Sequence, residues 1–315
     1  MSGLVVALSG GVGGAKLALG LSRVLPAEEL MVVANTGDDF EHLGLSISPD
    51  LDTLTYALAG LDNPETGWGR RDETWSFMAA IGELGGETWF RLGDRDLATH
   101  VERTRRLRAG ETLSAVTEAF RRRLGVGPRI LPMTDDRVRT RVRGDEGWMD
   151  FQEWFVRLRC LPAVRELDFE GAEEARPHPD ILSALRDPGL RAVVICPSNP
   201  FISVEPILAL PGLRAALMEC AAPVVAVSPI IGGRAVKGPT AAMLSDLAGE
   251  APSAAAVARR YGALLDGYVV DEADAADAGA IRGPRVALTR TLMTTPEHRE
   301  ALARVVLGAA ESLRA

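Results

Sequence analysis

Lysine is almost missing from this sequence: of 35 basic residues only two, Lys16 and Lys237, are lysine, and arginine takes nearly every general solvating role. Cysteine is scarce as well. Cys160, Cys196 and Cys220, odd in number and far apart, form neither a disulfide framework nor a zinc pattern, and are expected to be buried, inert thiols. Apolar runs such as Pro223 to Ile231 fall far short of the ~20 residues that a bilayer crossing needs. The opening apolar stretch has no basic region before it and is broken by Gly10, Gly11, Gly13 and Gly14. It therefore reads as the first strand and loop of a fold rather than a signal peptide, and a cytoplasmic location is expected. Positive charge is in deficit, 35 basic against 43 acidic residues for a net charge of -8, which opposes generic binding to nucleic-acid phosphates. There is no G-x-S-x-G elbow, no cysteine with a local histidine signature and no H-E-x-x-H, so covalent acyl chemistry and zinc hydrolysis are disfavoured. His42, His100, His178 and His298 lack metal-ligand spacing and read as surface or hydrogen-bonded histidines.

What is present is a chain of 315 residues, 47% hydrophobic, long enough for one large domain or two modest ones and too apolar to be disordered throughout. Short apolar runs at Leu4 to Ser9, Leu30 to Ala34, Ala192 to Cys196, Val224 to Val227, Tyr268 to Val270 and Val286 to Leu288 alternate with helical patterns. Those patterns lie at Ala15 to Leu25, Leu213 to Cys220, Ala241 to Leu247, Ala254 to Tyr261 and Glu297 to Leu313. This order predicts a doubly wound α/β fold around about six parallel strands. The middle differs. Residues 72–125 are charged and helical, with Arg103 to Arg108 and Arg121 to Arg123 expected on solvated faces. Arg129 to Met133, Val138 to Arg143 and Trp148 to Arg157 are strand-like, and the last two are joined by a Gly144-Asp145-Glu146-Gly147 hairpin turn. The expected organisation is a core of residues 1–64 and 171–315 interrupted by a helical and β-hairpin insertion at 65–170.

In an open parallel sheet, ligands bind beyond the carboxyl ends of the strands, so the loops there carry the chemistry. Gly10, Gly11, Gly13, Gly14 and Lys16 suit an anion at a helix N-terminus, although neither the Walker A pair nor the third glycine of the dinucleotide fingerprint is present. The second lysine, Lys237, follows another glycine pair, Gly232 and Gly233, and an ammonium in such a loop serves as a point charge on phosphate. Asp38, Asp39, Asp50 and Asp52 bring four carboxylates within 15 residues, which suits a hard cation such as magnesium; helix capping accounts for one of them more easily than for all four. Ser198 and Asn199 follow a buried run and can hydrogen-bond a base or phosphate, or simply make a turn. Trp68, Trp75, Trp89, Trp148 and Trp154 all lie in the middle third, where they pack the insertion or stack on a flat substrate.

The segments LSGGVGGAKLALGL, VANTGDD, SISPDLDTLTYALAG, LGDRDLATH, ILPMTDD, PSNPFISVEPILALPG, VSPIIGGRAVKGP and TLM, in this order from residue 8 to about 293, resemble the 2-phospho-L-lactate transferase family (CofD, FbiA in actinobacteria). The resemblance implies a magnesium-dependent transferase late in biosynthesis of the deazaflavin hydride carrier coenzyme F-420. It implies a Rossmann-like core with an insertion, usually as a homodimer. Such an enzyme takes a guanosine diphosphate ester of a three-carbon acid and passes the acid with its phosphate to the ribityl hydroxyl of the deazaflavin FO, releasing GMP. Guanine, deazaflavin and donor acid come from the resemblance alone. Carried over to this chain, it places Asp52 and Arg91 at FO. Asp50 is then the better metal candidate, with Asp52 close enough to be a ligand or to orient the attacking hydroxyl. The glycine loop with Lys16, and Ser198 with Asn199, would hold the guanosine diphosphate. Arg91 is lysine in some relatives, which keeps the charge but alters the hydrogen-bond geometry. A rival of the same fold is a non-catalytic regulator that binds nucleotide sugars; a generic nucleotide-dependent kinase is a weaker one, for want of the Walker A pair. The donor acid, whether phosphoenolpyruvate, 2-phospholactate or 3-phosphoglycerate, is not specified by these residues.

Overall fold

Seven strands of four or five residues carry the fold in the computed structural model, which describes residues 3–314. In chain order they are β1 (Val5–Ser9), β2 (Leu30–Ala34), β3 (Arg129–Pro132), β4 (Ala192–Ile195), β5 (Val224–Val227), β6 (Gly267–Asp271) and β7 (Arg285–Thr289). Every residue of β1, β2, β4, β5 and β6 is buried, as expected of strands covered on both faces. The spatial order is β7-β6-β5-β4-β1-β2-β3, and all six pairings are parallel. Read from the other edge this is 3-2-1-4-5-6-7, the Rossmann order extended by one strand, with its reversal between β1 and β4. There Val5 is flanked by Leu30 on one side and Ala192 on the other.

β3, the strand beyond the six expected, is the segment from Arg129, expected within the insertion. Ile130 and Leu131 are buried and pair beside β2, so the edge of the central sheet is supplied from the middle of the chain. The hairpin expected after it forms between Arg139–Gly144 and Gly147–Asp150, and a third strand, Glu166–Glu170, joins it. Its second arm stops at Asp150 rather than running on to Arg157. The next residues turn into a π-helix, Glu153–Arg157; Phe151 and Trp154 are buried there, and the Trp154 indole N–H donates to Pro162 O at 2.9 Å.

Alternation along the strands sorts the core into two layers. Val6 and Leu8 face a layer with Phe201 and Ile207, while Val5 and Ala7 face helix α1 (Gly11–Val24) and the C-terminal helix Pro296–Arg314 through Leu17, Leu21, Leu302 and Val306. Each buried valine, leucine, isoleucine or phenylalanine among them contributes about 1.5–3 kcal/mol by leaving water. The two helices touch backbone to backbone at Gly20, where a Cβ would lie 2.2 Å from Arg299 O. Helices α2 (Pro49–Ala59), α3 (Ser76–Glu83), α4 (Asp94–Arg108) and α5 (Leu113–Arg123) fill the crossover between β2 and β3. The three cysteines are free thiols. Burial pushes the Cys196 thiol up to about 12 and that of Cys160 up to about 11. Among the described residues no single helix is long and apolar enough to cross a membrane.

Candidate active site

A cavity of about 670 Å³ opens beyond the carboxyl ends of β1 and β4, where the strand order reverses. The turn from β1 into α1 is tight. Gly10 is extended, Gly11 takes φ +66°, and the helix begins at Gly11 rather than near Ala15, so Gly13 and Gly14 belong to its first turn. Side chains have no room: a Cβ at Gly10 would lie 2.5 Å from Ser203 Cβ and 2.9 Å from Asp50 Oδ2, and one at Gly13 would lie 2.3 Å from Pro197 O. First-turn amides have no partner within a helix. Here Gly10 N–H donates to Ser198 Oγ at 3.2 Å and Gly11 N–H to Asp50 Oδ1 at 2.6 Å. Val12 and Gly13 follow on the cavity wall, where their amides and the helix dipole suit an anion.

Asp50 and Asp52 both line the cavity from the first turn of α2, but two residues apart on a helix they turn to different partners. Asp50 accepts from Gly11 and, at 3.0 Å, from Asn35 Nδ2, which also donates to Ile202 O at 3.2 Å. Burial pushes its carboxyl up to about 6, against the pull of those two hydrogen bonds. Asp38 is raised well above the usual carboxylate range, by burial and then by the charge of Asp50, and its Oδ1 is buried without a partner. Burial pushes Asp39 up to about 7, opposed by Arg139 and by the Ser48 hydroxyl, which donates to it at 2.7 Å. Ser48 ends the loop before α2 without capping the helix with its side chain.

Asp52 turns instead to α4, whose first turn is tied down from outside. Glu73 accepts the amides of Arg95 and Asp96 at 2.8 and 2.9 Å, and Asp94 in return accepts those of Ser76 and Phe77 at 3.1 and 3.0 Å. Asp96, His100 and Arg103 then fall on one helical face towards α2. Arg103 Nη2 donates to Asp52 Oδ1 in an ion pair, while its Nη1 lies 3.2 Å from His100 Nδ1 and 3.3 Å from Ser46 O. His100 Nε2 lies 3.2 Å from Asp96 Oδ2, and the Tyr56 hydroxyl lies 2.7 Å from both Asp96 Oδ1 and Thr99 Oγ1. Asp52 is raised by burial, opposed by Arg103 and His100. Burial pushes Asp96 the same way, yet His100 beside it leaves it lowered. Asp52, Asp96 and His100 could hold a cation, their ligand atoms lying within 4.8 Å of one another, but the Arg103 guanidinium already stands beside them.

Arg103, expected on a solvated face, is 2% exposed. The signal that finds it is the i, i+4, i+7 spacing of Asp96, His100 and Arg103. Nothing in the sequence alone singles out Tyr56, and His100 reads there as a surface or hydrogen-bonded histidine; both line the cavity with Asp96 and Asp52.

The remaining expected residues divide. Lys16 and Lys237 both line the cavity, donating to Met293 O at 3.2 Å and Thr66 O at 3.0 Å, and burial holds the Lys16 ammonium below its usual range. Arg91 lines it too, with its guanidinium carbon 4.0 Å from the centre of the Trp75 ring. Ser198 and Asn199 are on the wall, but much of their hydrogen bonding is spent on the loops: the Ser198 hydroxyl donates to Gly10 O at 2.8 Å and Asn199 Oδ1 accepts from Phe201 N–H at 2.9 Å. Gly14 lies behind the wall against Ser9 and Ser198. Gly232 and Gly233 are not part of the wall, and their amides are closed by Asp274 at 2.8 and 2.9 Å. Of the tryptophans, Trp68 and Trp89 face the cavity with Phe90, Phe151 and Phe155; Trp154 packs in the core and Trp148 lies outside.

Comparison with known proteins matches the chain to one family. The family described as 2-phospho-L-lactate transferase CofD matches residues 5–287. A phosphoenolpyruvate transferase of Streptomyces griseus is 44% identical over 99% of both chains, and one of Thermobifida fusca is 43% identical over 98% of both. A crystal structure of a UPF0052 family member from Bacillus halodurans superposes with a TM-score of 0.61 over 98% of this chain and 99% of that one. At 13% identity it bears on the fold alone.

Proposed function

The chain belongs to the 2-phospho-L-lactate transferase CofD family and is a transferase; from that premise we propose that it acts in coenzyme F-420 biosynthesis. It moves a phosphorylated three-carbon acid from a guanosine diphosphate ester to the ribityl hydroxyl of FO. The hydroxyl oxygen attacks the phosphorus that carries the acid, the bond from that phosphorus to the bridging oxygen breaks, GMP leaves, and the hydroxyl proton passes to Asp52. The observation that carries this reading is one cavity joining three parts: the first turn of α1, the buried acids Asp38 and Asp50, and the Asp52 carboxylate with a partnerless oxygen. No enzyme nucleophile is required, and positioning and electrostatics do most of the work.

Each part has a role set by its surroundings. The amides of Val12 and Gly13, with Lys16 and Lys237, suit the diphosphate. Trp68, Trp89 and Arg91 suit the flat acceptor. Magnesium fits Asp38 and Asp50: both are oxygen donors, they repel each other in a buried place, and Asp38 Oδ1 has no partner. When bound it would supply charge neutralisation at the phosphate oxygens. Asp52, already paired with Arg103, is better placed to receive the acceptor's proton than to ligate the ion. The names of the relatives make the enolpyruvyl ester the first donor to try, ahead of the 2-phospholactyl and 3-phosphoglyceryl esters.

The test is a fluorescence titration with FO, with and without GDP and magnesium, followed by mass spectrometry of products from the three donors. Saturable binding and a new FO phosphodiester with GMP are expected. Asp52→Ala should stay folded and lower turnover about 1,000-fold. Near-normal turnover in that variant would remove Asp52 from the chemistry. Absence of FO binding under every condition would turn attention to the nucleotide-sugar regulator.

A further inference from the structure

Asp52 has two oxygens in different circumstances. Oδ1 takes the Arg103 ion pair, whereas Oδ2 is buried without a hydrogen-bond partner although His100 Nδ1 lies only 3.6 Å away. A guanidinium nitrogen can only donate, so His100 Nδ1, 3.2 Å from Arg103 Nη1, must accept. In the neutral ring the proton is therefore on Nε2, which lies 3.2 Å from Asp96 Oδ2 without a hydrogen bond between them, and Asp96 is itself held by the Tyr56 hydroxyl. With no proton on Nδ1, the imidazole cannot close Asp52 Oδ2.

We propose that Arg103 is a positioning residue for the transfer: it pins one oxygen of Asp52 and, by fixing the His100 tautomer, keeps the other oxygen open for the acceptor's hydroxyl. The proposal rests on the reading of Asp52 as the proton acceptor. It explains why an arginine is buried at 2% exposure on a helix that carries its other arginines outward. An ammonium at this position has one nitrogen and could not serve Asp52 and His100 in the same fixed geometry. A purely structural role would lie in the Nη1 bond to Ser46 O, which holds the hairpin Phe40–His42 and Leu45–Ile47 against α4. That hairpin keeps a second tie, from Ser46 N–H to Thr104 Oγ1 at 2.8 Å.

Arg103→Met and Arg103→Lys, alone and combined with Asp52→Asn, separate the two roles. With FO and the enolpyruvyl guanosine diphosphate ester, Arg103→Met should lower kcat about 100-fold while KM for FO stays within about threefold, and Arg103→Lys should recover only part of the loss. In the Asp52→Asn background, Arg103→Met should cost less than about twofold more, because the group it positions is gone. Nitrogen-15 spectra of the histidine rings, with His100 assigned by its loss in His100→Gln, should show the proton on Nε2 in the parent protein and on Nδ1 in Arg103→Met. Equal losses in both backgrounds, or an unchanged His100 ring, would overturn the proposal and leave Arg103 a structural clamp. If Arg103→Met does not fold, Arg103→Lys carries the same comparison, and full kcat in it is likewise decisive against. Full turnover in Asp52→Asn alone would instead sink the reading of Asp52, a result distinct from any failure at Arg103.

Discussion

Along the cavity wall made by the strand ends, polar groups close on the backbone: Ser198 on Gly10 and Asp50 on Gly11. Along the wall made by α2 and α4, charged side chains close on one another, and Asp52, His100, Arg103, Asp96 and Tyr56 form one buried cluster. The first wall gains its shape from what glycine lacks, so its tolerance is steric. The second gains its shape from charged and polar groups brought together across 40 to 51 residues of chain, so its tolerance is electrostatic. A substitution that is harmless on one wall should be damaging on the other.

The largest effect should come from adding one methyl group to the steric wall. Gly13→Ala places a Cβ 2.3 Å from the Pro197 carbonyl, backbone against backbone, and should lower the unfolding free energy by about 3 kcal/mol in a urea titration. Gly11→Ala is the control: its φ of +66° is costly for alanine but the space is open, and about 1 kcal/mol is expected. Equal losses at the two positions would show that the close approach of α1 to the loop after β4 is not what the glycines serve.

A smaller effect, a few degrees in the melting midpoint, should mark the acids between the two walls. Asp50 and Asp39 are raised to about 6 and about 7 from an ordinary value of 3.8, in each case chiefly by burial. The folded protein then holds their protons to higher pH than the unfolded chain does. Their contribution to stability is fully present below about pH 4 and is lost as pH rises through 6 and 7. Magnesium held by Asp38 and Asp50, as proposed, would replace the proton of Asp50, so millimolar magnesium should raise the midpoint more at about pH 8 than at about pH 5. A gain that does not change with pH would separate the ion from these carboxylates.

Next comes Tyr56→Phe, which removes the hydroxyl held to Asp96 and should cost about 1 kcal/mol in the same urea titration, with loss of turnover exceeding loss of FO binding. The smallest effect should be at Arg105, two residues beyond Arg103 and paired with Glu102 in full solvent. Arg105→Ala should leave the melting midpoint and kcat unchanged, and a clear change in either would blur the distinction drawn between the two arginines.

The central sheet was legible because strands buried on both faces are unbroken apolar runs, and the loops after β1, β2 and β4 were legible because glycine, aspartate and serine cluster there. Two kinds of feature were not. Arg129–Pro132 is a strand of four residues that begins with arginine, and only its neighbour β2 makes it part of the sheet. The α4 cluster is invisible locally because Arg103 sits in a run of arginines whose other members are solvated, so burial is decided by Asp52, 51 residues earlier. Gly232 and Gly233 misled in the opposite sense: a glycine pair before a lysine has the composition of a phosphate loop, but Asp274, 42 and 41 residues later, takes both amides.

The first strand of the chain lies in the middle of the sheet, between β2 and β4, and the helix that follows it is covered by the last helix of the chain. During synthesis β1 and β2 emerge in quick succession, yet the other edge of β1 has no neighbour until Ala192–Ile195 emerges, and Gly20 meets Arg299 only later still. The glycine turn is thus made well before the segments that hold it in place. A growing chain should expose an unpaired strand edge until β4 emerges, and that interval is when chaperone protection matters most for this protein.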